Sequence, residues 1–173
     1  MTRRTLSILG SIVFFCVAPA VVAGWAPYWM TGWRVGPPLL GMPALRWLGA
    51  VLTALGAALL VDCFARFATQ GLGTPAPVAP TRHLVVSGLY RHVRNPMYVG
   101  LMAAILGQAL LFGSVRLLAY AAIVFVLVHG FVLAYEEPTL RRQFGDSYER
   151  YRANVRRWWP RLRPWRDGGP GGA

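Results

Sequence analysis

Four long apolar runs, separated by short polar segments, constrain the fold of this chain more than any other feature. They cover about residues 6–26, 44–68, 96–112 and 115–136. At 1.5 Å per helical residue each run is long enough, or nearly so, to cross a bilayer core of about 30 Å. Charged residues make up only 14% of the chain, whereas a soluble domain carries about 25%. The sequence therefore predicts an all-α integral membrane protein, a single domain over residues 1–173 with about four transmembrane helices.

The arginines predict how these spans are oriented. All 18 basic residues are arginine, and most lie near the N-terminus, in the loop 69–95 or in the tail. Because cytoplasmic loops carry the excess of basic residues, both termini are predicted to be cytoplasmic, in a bacterial inner membrane or an equivalent one. The first apolar run is longer than the usual core of a signal peptide and is interpreted as a retained span. The net charge of +12 favours anionic lipid head groups over nucleic acid as partners, and no obligatory protein partner is evident.

The tail, residues 137–163, has the pattern of an amphipathic helix. Apolar residues recur every three or four positions while arginines fill the rest: Leu140, Phe144, Tyr148, Tyr151, Val155 and Trp158. Gly145 interrupts the pattern and Pro160 ends it. The pattern predicts an amphipathic segment that lies on the membrane surface.

The stretch Gly88–Gly100 contains most of the polar groups that border the third run. Asn95 and Pro96 form a strong helix start, since asparagine is a preferred cap and proline is favoured at the first helical position. A helix start at the membrane face offers free N–H groups to an anion, and Arg94 adds a guanidinium. Tyr90 and Tyr98 flank this point, either as interface anchors or as contacts to a flat ligand.

Glu136 and Glu137 end the fourth run and are two of only six acids in the chain. Acids at such depth usually face a bundle interior or a polar cavity. The alternative is ordinary pairing, of Glu137 with Arg141 for example, at a helix end formed by Pro138. An acid near a helix C-terminus is unfavourably placed, which indicates a functional reason for keeping it.

His129, seven residues before Glu136, is predicted to share its helical face, although a lone histidine in a span usually satisfies a neighbour's hydrogen bond. Cys16 and Cys63 lack ligand spacing, so no metal site is expected. Gly100 and Gly107, in the third run, are predicted to be points of close helix packing.

Together, these motifs resemble the isoprenylcysteine carboxyl methyltransferase and phospholipid methyltransferase superfamily. The resemblance covers about residues 82–160 and rests on Arg94-Asn95-Pro96-Met97-Tyr98-Val99-Gly100 followed by Glu136-Glu137. It implies an S-adenosylmethionine-dependent methyltransferase whose cytoplasm-facing pocket is roofed by the loop and the tail. A lipophilic acceptor would enter from the bilayer. The implied cofactor contacts are His83, Leu84, Val85, Tyr90, Asn95, Pro96, Met97, Tyr98, Glu136 and Glu137, with Glu136 and Arg94 as catalytic residues.

The sequence departs from the eukaryotic carboxyl methyltransferases at three positions, which leaves the acceptor open. Arg82, rather than His83, stands where an eight-residue offset from Tyr90 would place the loop histidine of those enzymes. Asn95 stands where those enzymes have histidine, and Val132 stands where they have an arginine one turn before the glutamates. Whether oxygen, nitrogen or sulfur is methylated is undetermined by the sequence. Two rival functions stay open: an NADPH-dependent membrane reductase related to sterol reductases, and a non-catalytic lipid-binding membrane protein.

Overall fold

The computed structural model describes residues 17–70, 84 and 86–166, without the side chains of residues 66–70. Within these ranges the chain is helical and contains no strand, so the predicted all-α class is confirmed. The helices are α1 (Ala26–Thr31), α2 (Ala44–Gln70), α3 (Pro96–Phe112), α4 (Val115–Phe131) and α5 (Glu137–Asn154). Short turns of other helix types cover Val21–Trp25, Leu39–Gly41, Gly88–Arg91 and Val132–Glu136.

The helix bounds agree closely with three of the four predicted spans. The predicted 96–112 and the start of 115–136 coincide with α3 and α4, and α2 extends two residues beyond the predicted 68. The first span is described only from residue 17, and its helix continues to residue 31 rather than ending near 26. Among the described residues, Ala44–Ala65 and Val115–Asn154 are long and apolar enough to cross a membrane, and Pro96–Phe112 is a shorter apolar helix. The count of four spans stays a prediction.

Glycines allow α2 and α3 to pack against each other at backbone distance. A Cβ placed on Gly56 would lie 2.5 Å from the Ala104 nitrogen and 2.6 Å from the Gly100 oxygen, and one on Gly107 would lie 2.8 Å from the Gly49 oxygen. Helix pairs in membranes use small residues in this way because van der Waals contact drives their association. The close packing predicted at Gly100 and Gly107 is confirmed.

Two polar side chains of the bundle donate hydrogen bonds to carbonyl groups of the π-helical turn Val21–Trp25. Gln108, only 6% exposed, donates to the Ala23 carbonyl at 2.6 Å. Tyr120 donates to the Val22 carbonyl at 2.9 Å. Because a carbonyl freed by the wider turn needs a donor in apolar surroundings, these bonds fix the first helical segment against α3 and α4.

The outer surface of the bundle is apolar. Large side chains point outwards on α2 and α4, among them Trp47, Val61, Val126 and Leu127, each at least 66% exposed. The aromatic residues around α1 are also exposed, at 62% for Trp25 and 77% for Trp29. Exposed apolar surface of this extent is suited to lipid rather than water.

The fourth run does not end at Pro138. The π-helical turn Val132–Glu136 leads directly into α5, so that Val115–Asn154 is one continuous helical segment with Pro138 inside it. Glu137 is therefore far from a helix C-terminus, and its backbone N–H donates to the Val132 carbonyl. The prediction of an unfavourable C-terminal position for the glutamates was wrong. At Gly145 a positive φ of 48° interrupts α5, as the sequence predicted.

Candidate functional site

The two adjacent glutamates have opposite surroundings, and Glu137 is the paired one. Its Oε1 accepts from Arg94 Nη1 at 3.0 Å and from Arg157 Nε at 2.6 Å, while Oε2 accepts from Arg157 Nη2 at 2.9 Å. Burial by itself would raise the pKa of Glu137, but the hydrogen bond from Arg157 and the Arg94 charge lower it overall. Glu137 is thus an ionised structural bridge between α5, the segment that precedes α3 and the segment that follows α5. The predicted pairing with Arg141 is wrong, since Arg141 binds Glu149 at 2.6 Å.

Glu136, in contrast, is a half-buried carboxylate without a cationic partner among the described residues. Its single hydrogen bond in that part of the chain comes from the Tyr98 hydroxyl, at 3.4 Å from Oε2. Burial, followed by the charges of Cys63 and Glu136, raises the pKa of the Tyr90 phenol. Tyr90 is therefore neutral at physiological pH. Glu136 is left able to bind a cation supplied from outside the protein.

Arg94 connects three parts of the site. Besides Glu137, its Nη1 donates to the Tyr148 hydroxyl at 3.2 Å, and its backbone N–H donates to the Arg156 carbonyl at 2.9 Å. The Nε atom is buried and has no hydrogen-bond partner. Such an atom costs free energy unless a ligand or water satisfies it.

Asn95 precedes α3 as predicted, but it does not cap the helix with its side chain. The residue is 7% exposed, and its Nδ2 donates to the Arg157 carbonyl at 3.4 Å. Asn95 therefore helps to position the tail arginine that holds Glu137.

The segment after α5, residues 155–166, here named the strap, is fastened to residues 91–94. The Arg161 N–H donates to the His92 carbonyl and the Trp165 N–H to the Arg91 carbonyl, both at 2.9 Å. With the Arg94–Arg156 bond, these contacts run along the strap at three points. The strap covers the polar side of the Gly88–Arg91 turn.

The apolar face of α5 packs on the protein itself. Tyr148, Tyr151 and Val155, which follows the helix, are buried against Leu84 and Val86. The loop and the strap thus provide an apolar partner for the tail, and its position on the membrane surface stays a prediction. The helix also ends at Asn154, short of the predicted Trp158.

A cluster of aromatic rings joins Tyr98, the residue that bonds Glu136, to α4. Trp158 of the strap donates through Nε1 to His129 Nδ1 at 3.1 Å, and its ring lies 6.5 Å from that of Tyr98 and 5.5 Å from that of Phe125. His129 accepts this hydrogen bond from Trp158. Of the two interpretations of His129, a functional residue or a hydrogen-bond partner of a neighbour, the structure agrees with the second.

The predicted site residues that the structure describes converge on this region, with one qualification. Tyr90, Asn95, Tyr98 and the two glutamates share the contacts given above, whereas Met97 packs into the core with Leu60 and Cys63. His83 and Val85 lie outside the described residues. The sequence analysis missed the roles of Arg157 and Trp158, because it placed both within the amphipathic pattern, whereas the helix ends at Asn154.

Comparisons with known proteins agree with this arrangement. A family model described as phospholipid methyltransferase matches residues 44–147, more than half of the chain. The chain belongs to the phospholipid methyltransferase family. The matched residues include α2, α3, α4 and both glutamates, so the predicted superfamily and the methyltransferase class are confirmed at the level of the family.

Two relatives are similar over shorter segments. The chain is 38% identical over 73 residues, 42% of its length, to the protein-S-isoprenylcysteine O-methyltransferase of Schizosaccharomyces pombe, and spans 30% of that protein. It is 41% identical over 63 residues, 36% of its length, to an uncharacterised protein of Haemophilus influenzae, of which it spans 98%. No solved structure matches the chain significantly.

Proposed function

We propose that this membrane protein transfers a methyl group from S-adenosylmethionine to a lipophilic acceptor, a lipid or small molecule that arrives from the bilayer. One observation carries the proposal: Glu136 is a half-buried carboxylate that has no cationic partner within the described residues and accepts a hydrogen bond from the Tyr98 phenol. Family membership supports the reaction class, and the apolar outer surface supports an acceptor that dissolves in lipid.

The residues present fit the charges of S-adenosylmethionine, which carries an ammonium, a carboxylate and a methyl group on a cationic sulfur. Glu136 would hold the ammonium, with Tyr98 orienting its carboxylate and Tyr90 as a neutral donor beside it. A carboxylate attracts a cation strongly where water is scarce. The unpartnered Nε of Arg94 and the N–H groups at the start of α3 are donors suited to the ligand's carboxylate.

We infer that Glu136 acts as a binding residue and Arg94 as a positioning residue. The positive charge on sulfur disappears during methyl transfer, so a carboxylate held against that sulfur would stabilise the ground state and oppose the reaction. Glu136 therefore serves the ammonium end. Rate enhancement would come from alignment of the reactants and exclusion of water by the strap.

For the membrane arrangement we propose a single domain with four spans, both termini in the cytoplasm and the bacterial inner membrane as location. The arrangement of the described arginines supports the orientation. Arg91, Arg94 and the strap arginines lie at one end of the α3–α4 hairpin, while Arg116 lies near its tip. The site would then face the compartment that contains S-adenosylmethionine.

The direct test uses purified protein in lipid nanodiscs with S-adenosylmethionine labelled in the methyl group. We expect the label to appear in the organic extract when lipids of the host membrane are supplied. At S-adenosylmethionine concentrations below saturation, Glu136→Gln should transfer it roughly ten- to hundredfold more slowly. NADPH binding serves as the comparison for the reductase alternative. Binding of NADPH without binding of S-adenosylmethionine would refute the proposal.

A further inference from the structure

The strap fixes which ring nitrogen of His129 carries the proton. Trp158 Nε1 lies 3.1 Å from His129 Nδ1. An indole N–H group can only donate, so Nδ1 is the acceptor and carries no proton. The proton of the neutral imidazole is therefore on Nε2, which makes Nε2 a hydrogen-bond donor.

This Nε2–H group has no hydrogen-bond partner within the described residues. The bond from Trp158 accounts for the other ring nitrogen only. His129 belongs to α4, seven positions before Glu136 and thus about 10 Å deeper in the predicted span. A polar group at membrane depth needs a partner, and a histidine there indicates a ligand unless the protein supplies that partner.

The α4 surface beside His129 is open. Phe125, one helical turn away, stacks on the imidazole with ring centroids 5.7 Å apart and is 38% exposed. Val126 is 67% exposed, and a Cβ built on Gly130 would meet no atom within 4 Å. A molecule dissolved in the bilayer can therefore reach the imidazole along α4.

The same cluster of rings leads to the residue that we assign to the cofactor. The Trp158 ring lies 5.7 Å from that of His129 and 6.5 Å from that of Tyr98, and the Tyr98 hydroxyl donates to Glu136. His129 and Glu136 are thus the two ends of one series of contacts. If the cofactor is held at Glu136, the His129 end is where a lipophilic acceptor can be held.

The chemistry of the reacting atom decides which acceptors suit a donor at this position. A hydroxyl oxygen has two lone pairs, so one can accept from Nε2–H while the other attacks the methyl carbon. A neutral amine has a single lone pair, and a hydrogen bond to it would block the attack. Sulfur is a weak hydrogen-bond acceptor. A carboxylate would have to enter the span as an anion, which is costly.

We propose that His129 binds the reacting oxygen of the methyl acceptor, that Trp158 positions His129 by fixing its tautomer, and that the acceptor is a lipophilic molecule with a hydroxyl group. One oxygen lone pair forms the bond to the methyl carbon, the electron pair of the breaking carbon–sulfur bond stays on sulfur, and the hydroxyl proton leaves to water. His129 has this role only if methyl transfer takes place as proposed above.

The first test identifies the methylated atom. Purified protein in nanodiscs made with lipids of the host membrane receives S-adenosylmethionine with a ¹³C-labelled methyl group. The ¹³C resonance of the extracted product distinguishes a methyl ether, which we expect, from a methyl ester and from methyl groups on nitrogen or sulfur. Any of the last three would overturn this inference and leave the proposed methyl transfer intact, whereas the absence of a labelled product would overturn both.

A second test measures the contribution of His129 with the same extract at subsaturating concentration. His129→Phe keeps an aromatic ring and removes the donor, and it should slow transfer roughly tenfold with the affinity for S-adenosylhomocysteine unchanged. His129→Gln, whose amide can donate, should recover part of the loss. Ile123→Phe, at an exposed position of α4, is the matched control and should behave as the wild type. Equal rates in His129→Phe and the wild type would overturn the proposal.

Histidine labelled with ¹⁵N gives a measurement that does not depend on activity. The chain contains three histidines, and the signals of His129 are those lost in His129→Phe. Long-range ¹H–¹⁵N correlations should show the wild-type ring protonated on Nε2. Trp158→Phe, which removes the indole N–H, should give a mixture of tautomers and should cause no further loss of transfer when combined with His129→Phe. A proton on Nδ1 in the wild type, or an unchanged tautomer in Trp158→Phe, would contradict the role of Trp158 and overturn the proposal.

Discussion

Replacing Glu136 and Glu137 by glutamine, one at a time, is expected to separate ligand binding from stability. Glutamine keeps the shape of each side chain and removes its charge. The adjacent positions differ in their partners: Glu136 accepts only from Tyr98 within the described chain, whereas Glu137 binds two arginines. Glu136→Gln should therefore change ligand affinity, and Glu137→Gln should change the stability of the fold.

The structure sets the expected magnitudes. If Glu136 binds the ammonium of S-adenosylmethionine, loss of a hydrogen bond to a charged group removes about 1.5–3 kcal/mol, which is roughly a ten- to hundredfold loss of affinity. The fold should be as stable as before or more stable, because an unpaired half-buried charge is costly. For Glu137→Gln we expect about 3 kcal/mol of destabilisation, the low end for removing one partner from a buried ion pair. The low end applies because Arg157 is 26% exposed.

Calorimetry with S-adenosylhomocysteine and thermal melts on each purified variant measure both properties. The melts extend the test when repeated at lower pH. Because the pKa of Glu137 is lowered in the folded state, its contribution is present above the unfolded value and is lost as the pH falls through the folded value. The wild type should lose that stability in acid, and Glu137→Gln should not lose it again. Unchanged affinity in Glu136→Gln would refute the assignment of Glu136 to the ligand.

Three further predictions concern the fold and its orientation. Gly56→Ala should destabilise the protein by about 1–3 kcal/mol, as overpacking does, because its Cβ would meet the α3 backbone at 2.5 Å; Gly130→Ala, with nothing within 4 Å, is the matched control in the same melts. Tyr151→Phe should cost about 1–2 kcal/mol in a chemical unfolding titration, since the hydroxyl donates to the Tyr90 carbonyl at 2.6 Å, and an unchanged midpoint would count against that bond. In a cysteine-free background, an impermeant thiol reagent added to intact cells should label Val115→Cys but not Ser147→Cys, and the reverse pattern would contradict the proposed orientation.

The sequence predicted best those structural features that depend on residues close together along the chain. Asn95 and Pro96 set the start of α3, and Gly113, with a positive φ of 67°, ends it at the predicted position. Hydrophobic runs gave the all-α class because backbone groups in lipid must be satisfied within a helix. Gly49 and Gly56 were not identified, although they share the seven-residue spacing of Gly100 and Gly107.

The helix type of Val132–Glu136 could not be predicted from periodicity. A π-helical turn inserts one residue, which rotates the following positions by about 100° relative to an α-helix. His129 and Glu136, seven residues apart, therefore do not share the face that a regular helix would give them. They are connected instead through the rings of Trp158 and Tyr98.

Which of two neighbouring glutamates is available to a ligand depends on a residue twenty positions later. Arg157 pairs with Glu137 from a strap that follows the end of α5 at Asn154, although the sequence pattern predicted a helix through this position. Without Arg157, Arg94 alone would offset one of two adjacent acids, and the sequence would give no reason to distinguish them. With it, Glu137 is held by two cations and becomes part of the scaffold. Glu136 is then the carboxylate without a cationic partner in the described part of the chain, and this difference from Glu137 is the basis on which we assign it to the ligand.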